Sequence, residues 1–361
     1  MRYRLLVTLL ILLTACTPTG NVVKEDPLHV GVISSLSGRS ADYGNAMLQG
    51  LRIAQAEIEG DVELIVKDGK CKSRVASTAA KHLLYVHEVD ILLTGCSSET
   101  LAVAPIANRS DTLIMATYST SPAVSNAGDH VFRTAPSDKD GMARFAETVL
   151  SLNNDSLVIL SQAKSYPQGL KKSFAKSYTR HGGEIHKTAS FRARGDLRSQ
   201  VTKLVHEDAD GFMLFVQSAK TGAQALKVLH DLAVDKTIFG NMLFTGTNIV
   251  RERPELADGV ITNSIALNNL NPTLQQLKEE YRKRTDAAPP DWFFVASAYD
   301  ALHIINDAFR ATNGSTDAVS RYLQSRSWRG AAGRLTFDGQ GNPQYRYETQ
   351  IVRNGTPVLL R

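Results

Sequence analysis

The sequence predicts an α/β protein of two doubly wound parallel-sheet lobes. Short apolar segments alternate with amphipathic ones along most of the 361 residues. The apolar segments are hydrophobic throughout, as strands buried on both faces are. The series also breaks at Thr134-Ala135-Pro136 and begins again, so one lobe is followed by a second of the same kind.

In the first series, residues 29–33 form a strand and residues 45–59 a helix, with Met47, Leu48, Leu51, Ala54, Gln55 and Ile58 at helical spacing. A strand at 62–66 precedes a helix at 74–87 carrying Val75, Ala79, Leu83 and Val86. A strand at 90–94, a helix from Ser98 and a strand at 112–116 complete it. In the second series, a strand at 156–161 leads to a helix at 168–181 closed by Gly182-Gly183. A strand at 188–191, a helix from Gly195, a strand at 211–216, a helix from Ala219 and a strand near Met242 to Phe244 follow. Long helices are expected at 272–284 and 292–312. A closing hairpin is expected to pair 334–337 with 345–352 around Asp338-Gly339-Gln340-Gly341.

The first residues read as an export signal. Arg2 and Arg4 precede an apolar run, Leu5 to Leu13, which leads to Leu13-Thr14-Ala15-Cys16. That run is far below the ~20 residues of a membrane span, and it ends in a lipoprotein cleavage box. Residues 1–15 are therefore read as the signal peptide and Cys16 as the lipidated residue. Residues 16–27, with Pro18 and Gly20, read as a tether. The membrane is a partner through the lipid anchor only.

About 345 residues remain beyond the signal, more than one small core needs. Of the 3 cysteines, Cys71 and Cys96 are left as an even pair in an exported, oxidising setting. A disulfide is the first reading, stabilising by roughly 3 kcal/mol through loop closure, and two buried free thiols the second. No metal ligands stand at zinc spacing beside either cysteine, and no metal or other cofactor is expected. With 41 Lys and Arg against 36 Asp and Glu, and no basic run interleaved with aromatics, no nucleic-acid partner is expected.

A series of short motifs runs in order along the chain: residues 30–38 (Val-Gly-Val-Ile-Ser-Ser-Leu-Ser-Gly), Tyr43-Gly44, Gly50, Asp68 with Cys71, and Gly95-Cys96-Ser97-Ser98. It continues through Thr120-Ser121-Pro122, Phe132-Arg133-Thr134, Tyr166 with Gly169, Ala298-Tyr299-Asp300-Ala301 and Phe337-Asp338. This order of motifs resembles the leucine/isoleucine/valine-binding proteins, the type I periplasmic solute-binding fold. It spans residues 28 to 355 and implies two lobes joined by three crossovers, with a ligand in the cleft and hinge closure around it. The divisions expected are 28–135 (first part of the N-lobe), 136–265 (C-lobe), 266–345 (second part of the N-lobe) and 346–361 (closing segment of the C-lobe). In some relatives the cysteines matching Cys71 and Cys96 are disulfide-linked.

Ser97 and Ser98 open a helix after a strand, so free backbone N–H groups can receive an anion there. Plain N-capping, with Glu99 in the first turn, is the local alternative. The resemblance implies that Ser97 and Thr120 hold a ligand carboxylate, with a backbone contact at Tyr118. It implies that Tyr43, on the first strand-to-helix loop, packs on the ligand, and that Tyr166, Gln217 and Asn248 face it from the other lobe. Amino-acid-binding relatives carry an acidic residue near the position of Asn248. A buried ammonium without a counter-charge costs several kcal/mol, which counts against an α-amino acid here. Trp292 is read mainly as lobe packing.

No catalytic constellation is found. Ser161-Gln162-Ala163-Lys164 and Lys220-Thr221-Gly222 copy two elements of penicillin-interacting serine enzymes, but the third element is missing and Ser161 ends a strand. The expected function is that of a substrate-binding lipoprotein of an ABC transporter, taking a small amino-acid-like or carboxylate solute and meeting ABC permease subunits. The cell envelope is its expected place, outer membrane included. The alternative is a regulatory or sensory lipoprotein that uses the same fold to contact a protein, because Thr17 lacks the aspartate that retains many lipoproteins at the inner membrane.

Overall fold

In this computed structural model the residues described are 27–58, 62–192, 194–245, 253–312 and 314–360. The proposed signal peptide, Cys16, nearly all of the tether, and Asn248 lie outside them.

The first sheet is built from β1 (Leu28–Ser34), β2 (Val62–Asp68), β3 (Ile91–Thr94), β4 (Leu113–Ala116) and β5 (Val131–Arg133), all parallel in the order β2-β1-β3-β4-β5. The connecting helices are α1 (Ala41–Glu57), α2 (Ser73–Tyr85) and α3 (Ser97–Arg109). Side-chain alternation divides two cores across this sheet. Val30, Val32, Ile91, Leu93, Leu113 and Met115 pack on the α1 side, whereas Ile33, Leu92 and Ile114 pack under α2 and α3. Strands covered on both faces in this way read as continuous apolar runs.

The second lobe repeats the plan. It opens with α4 (Asp138–Ser151), β6 (Ser156–Gln162), α5 (Ser165–Arg180), β7 (Glu184–Phe191) and α6 (Arg194–Val205). It continues with β8 (Gly211–Phe215), α7 (Ala219–Asp231), β9 (Thr237–Gly240), a short α8 (Pro254–Ala257) and β10 (Ile261–Ile265). The order β7-β6-β8-β9-β10 matches that of the first sheet. Helices α9 (Pro272–Arg284), α10 (Trp292–Thr312) and α11 (Thr316–Ser325) then return to the first lobe, where α9 and α10 pack on α1. Strands β11 (Ser327–Gly330) and β12 (Gly333–Thr336) form a separate two-stranded ribbon. Finally β13 (Tyr347–Arg353) and β14 (Thr356–Leu359) add an antiparallel edge to the second sheet, making it seven-stranded.

The chain thus crosses between lobes three times, at 134–137, 266–271 and 337–346. The first and third crossings are stitched together. Tyr345 Oη donates to Thr134 O at 3.0 Å, and Tyr347 Oη to Ser137 O at 3.1 Å. Arg133, buried at the end of β5, donates from Nε to Asn342 Oδ1 at 2.7 Å.

Several expectations are corrected. The hairpin expected to pair 334–337 with 345–352 does not form: Gly333–Thr336 pairs with Ser327–Gly330, Tyr347–Arg353 pairs with β10 and β14, and the turn between them holds one bridge, Phe337 to Pro343. Asp338 accepts from Gln340 N, Asn342 N and Asn342 Nδ2, which turns the chain out of the ribbon and across to the other lobe. Met242 to Phe244 is a 3-10 turn rather than a strand, because the strand has already ended at Gly240. Helix α1 starts at Ala41, so Tyr43 lies in its first turn and not on the preceding loop. Gly44 permits this start: a Cβ there would meet Ser35 O at 1.9 Å.

Candidate functional site

In both sheets the strand order reverses beside the first strand of the series, between β1 and β3 and between β6 and β8. The crevice outside the carboxyl ends of strands at such points is where open α/β sheets bind ligands. The two crevices face each other here. Between them lies a cavity of about 390 Å³, counting all space between atoms and the solvent at its mouth.

From the first lobe come Ser40 and Tyr43 of the α1 start, Cys96 and Ser97 of the α3 start, Tyr118 and Thr120 of the loop after β4, and Phe294 of α10. Tyr166 of α5, Gln217 just before α7, and Met242 and Leu243 of the 3-10 turn come from the second. Ser97, Thr120, Tyr118, Tyr43, Tyr166 and Gln217, chosen from the sequence, therefore share one cavity. Trp292 does not reach it; its ring packs on Tyr281 at 5.3 Å with Lys278 and Arg282 over its face. Phe294, two residues on, was not anticipated.

Local chemistry fixes each wall. Cys96 is the N-cap of α3, and the Glu99 carboxylate accepts its N–H at 2.9 Å and that of Cys71 at 2.9 Å. Ser97 is left free of the capping role, and its hydroxyl accepts from Ser121 N at 3.2 Å. Cys71 and Cys96 form a disulfide, so the pairing read from the cysteine count is present and one of its sulfurs belongs to a residue of the cavity wall. Gly95 admits the Tyr118 ring, since a Cβ there would lie 2.5 Å from its hydroxyl. Tyr43 and Tyr118 both meet Phe294 edge to face, with centroids 5.0 and 5.5 Å apart.

Arg133 shapes the same region from behind. Its Nη1 donates to Ser119 O and Ser121 O, each at 2.9 Å, which holds the carbonyls on both sides of Thr120. Burial pushes its pKa down to about 10, against the opposing pull of Asp138. Asp138, at the start of α4, lies beside Thr120 and Tyr166; burial pushes its carboxyl up to about 7, with the Thr120 hydroxyl and Arg133 opposing. Burial likewise raises Glu99 to about 7 and Asp291 to about 6. Sequence reasoning passed over Asp138, though a carboxylate one residue after Pro136-Ser137 at a helix start was the available signal.

The lobes are shut on each other. Across the cleft Ala219 N donates to Tyr43 Oη at 3.1 Å, Gln217 Nε2 approaches Cys71 Sγ at 3.5 Å, and Lys220 Nζ lies 3.7 Å from Asp42 Oδ2.

The model of the family described as "Periplasmic binding protein" matches residues 27–351. The chain belongs to the periplasmic binding protein family. As a periplasmic binding protein of the ABC-transporter type it is a solute-binding protein and not an enzyme. The family's place is extracytoplasmic.

Among related periplasmic binding proteins, the Leu/Ile/Val-binding protein homolog 6 of Brucella melitensis is 24% identical over 345 residues, 91% of this chain and 86% of the relative. The Leu/Ile/Val-binding protein of Escherichia coli is 21% identical over 333 residues, 89% of each. Two solved structures share the fold. A leucine binding protein of Thermotoga maritima superimposes with a TM-score of 0.82 at 21% identity, covering 92% of this chain and 98% of that one. A benzoate-bound solute binding protein of R. palustris gives a TM-score of 0.84 at 18% identity, covering 92% and 95%.

Proposed function

We propose that the cleft captures a small carboxylate-bearing solute by lobe closure and presents it to ABC permease subunits. The observation carrying this reading is that helices α1, α3, α5, α7 and α10 all begin at or beside the cavity wall, drawn from both lobes. Each helix start carries a partial positive charge, so the cavity favours an anion without a cationic side chain. Ser97 and Thr120 supply hydroxyls beside the α3 start, and Tyr43, Tyr118 and Tyr166 enclose the remainder. Asn248 is kept as a further contact on the sequence resemblance alone. The leucine binding protein of Thermotoga maritima and the benzoate-bound protein of R. palustris support the same chemistry, because leucine and benzoate both place a carboxylate on an apolar body.

A lipid on Cys16 would keep the receptor at a membrane surface, its lobes carried on residues 16–27. The Leu13-Thr14-Ala15-Cys16 box supports this.

Calorimetry of the full chain in mild detergent against carboxylic acids and amino acids tests the function. Micromolar binding that weakens at least about tenfold in Ser97→Ala or Thr120→Ala is the expected result, as loss of a hydrogen bond to a charged group predicts. A folded protein that binds no carboxylate would sink this reading and favour a lipoprotein that contacts a protein partner.

A further inference from the structure

We infer that the closed cleft holds a second binding site, a vestibule on the disulfide side that takes an oxyanion of the carboxylate, sulfate or phosphate type between a lysine of each lobe. The site goes beyond the reading above, because it does not depend on which solute the inner cavity holds.

The vestibule is a hollow of about 870 Å³, counting all space between atoms and the solvent at its mouth. Cys71, Lys72, Ser73 and Ser98 line it from the first lobe, and Lys164 and Ser165 from the second. The disulfide is its partition from the inner cavity. Cys96 lines that cavity and Cys71 this vestibule, with Gln217 Nε2 closing on Cys71 Sγ from the opposite lobe.

The side-chain charge in the vestibule is of one sign. Neither the Lys72 nor the Lys164 ammonium has an ion-pair or hydrogen-bond partner among the described residues, and no carboxylate among them lines the hollow. The acids behind its first-lobe wall are engaged: Asp68 accepts from Leu36 N, Ser37 Oγ and Lys70 N, and Glu99 from Cys71 N and Cys96 N. The basic excess extends along both segments. Lys70 and Arg74 flank Lys72, and between Ser156 and Gly183 there is no Asp or Glu against Lys164, Lys171, Lys172, Lys176 and Arg180. Closing the lobes brings these segments to one hollow, an arrangement that repels unless an anion lies between them.

Capping departs from the ordinary pattern at the same place. Lys72 and Lys164 are the N-cap residues of α2 and α5, and neither helix has a side-chain cap. By contrast Ser137, Ser218, Asn271 and Ser315 cap α4, α7, α9 and α11 with their side chains. A lysine at an N-cap offers no acceptor to the first turn and sets a cation against the helix dipole. One oxyanion between the two lysines supplies what both helix starts lack and neutralises both ammonium groups.

Calorimetry of the full chain in mild detergent against sodium sulfate tests the site, with sodium chloride at matched ionic strength to account for screening. Lys72→Met and Lys164→Met should each weaken sulfate binding about fivefold or more, as loss of a charge-assisted contact predicts. Because the anion spans both lobes, small-angle scattering should show sulfate favouring the closed form of the parent chain and not of either variant. Dicarboxylates from succinate to suberate, each against the monocarboxylate of equal chain length, distinguish the sources. A dicarboxylate weakened by the lysine variants beside an unaffected monocarboxylate makes the occupant the second acid group of a solute, whereas a response of sulfate alone makes it a free oxyanion. Sulfate affinity that follows Ser97→Ala or Thr120→Ala and ignores both lysines would put the anion in the inner cavity and overturn the inference. So would binding that chloride suppresses equally at matched ionic strength, or no binding of sulfate or any dicarboxylate.

Discussion

The hydroxyl of Tyr43, from the first turn of α1, accepts a hydrogen bond from Ala219 N–H, the first residue of α7, across the cleft at 3.1 Å. Tyr43 is buried and its ionisation is pushed well above the ordinary tyrosine range by burial, so it remains a neutral latch at any physiological pH. It is also a wall of the cavity. One side chain thereby joins the contact between the lobes to the wall of the cavity.

Tyr43→Phe removes the acceptor and keeps the ring. A net hydrogen bond of roughly 1 kcal/mol predicts about 3- to 10-fold weaker solute binding, with thermal stability little changed. Calorimetry gives the affinity, and small-angle scattering should show a more open ligand-free form. Unchanged scattering would mean that Tyr43 does not hold the lobes together.

Replacing both cysteines by serine opens the bridge between Cys71 and Cys96, which are 25 residues apart. The loss should be about 3 kcal/mol in urea unfolding, on the chain-entropy view. Solute affinity should fall as well, since Cys96 lines the cavity and Cys71 meets Gln217 of the opposite lobe. Stability lost with affinity intact would separate the bridge from the site.

Stability should decline between about pH 6.5 and about pH 8. Burial raises Glu99, Asp138 and Asp300 each to about 7, so in this window the folded state holds protons that the unfolded chain has released. Such groups contribute fully below their unfolded pKa, and the contribution disappears as pH passes through the folded value. His82 and His303 are lowered by burial and act in the opposite sense, offsetting part of the decline in the lower half of this window until their unfolded imidazoles have lost their protons. Urea midpoints measured across it provide the check; a flat or rising profile contradicts the assignment.

Arg133→Met leaves the carbonyl of Ser119 without its donor and removes one of the two donors to Ser121 O, which keeps Val124 N, and to Asn342 Oδ1, which keeps the Ser125 hydroxyl. Breaking a buried charged network of this kind should cost roughly 3 kcal/mol or more. Arg133→Lys, which retains the charge and can reach only part of the network, should recover some stability. Because those carbonyls flank Thr120, solute affinity should drop in both variants even well below the unfolding temperature. An unaltered affinity in Arg133→Lys would confine Arg133 to a stabilising role.

The repeated strand and helix alternation was legible because a strand buried on both faces has few polar residues to disguise it, as Ile91–Thr94 and Leu113–Ala116 show. Helix α4 escaped notice because Asp138, Lys139, Asp140 and Arg144 crowd its first half, although Met142, Phe145, Ala146 and Val149 keep helical spacing on the buried side. Met242 to Phe244 misled for the converse reason. A short apolar run has no period of its own, and here its hydrophobicity serves a cavity wall and the core rather than a sheet. Phe294 was hidden inside Trp292-Phe293-Phe294. Successive helical residues point about 100° apart, so three adjacent aromatics reach three different surroundings, and only a three-dimensional view tells which meets the cavity.

The third crossing carries the chain back into the seven-stranded lobe for its last two strands, whereas β1 belongs to the five-stranded one. If Cys16 carries the proposed lipid, the tether entering at Leu28 would grip one half of the molecule alone. That half would then be the stationary jaw, fixed relative to the bilayer, and each capture and release would swing the other through solution. The face that a membrane partner would meet on the swinging jaw would then depend on whether the cleft is filled.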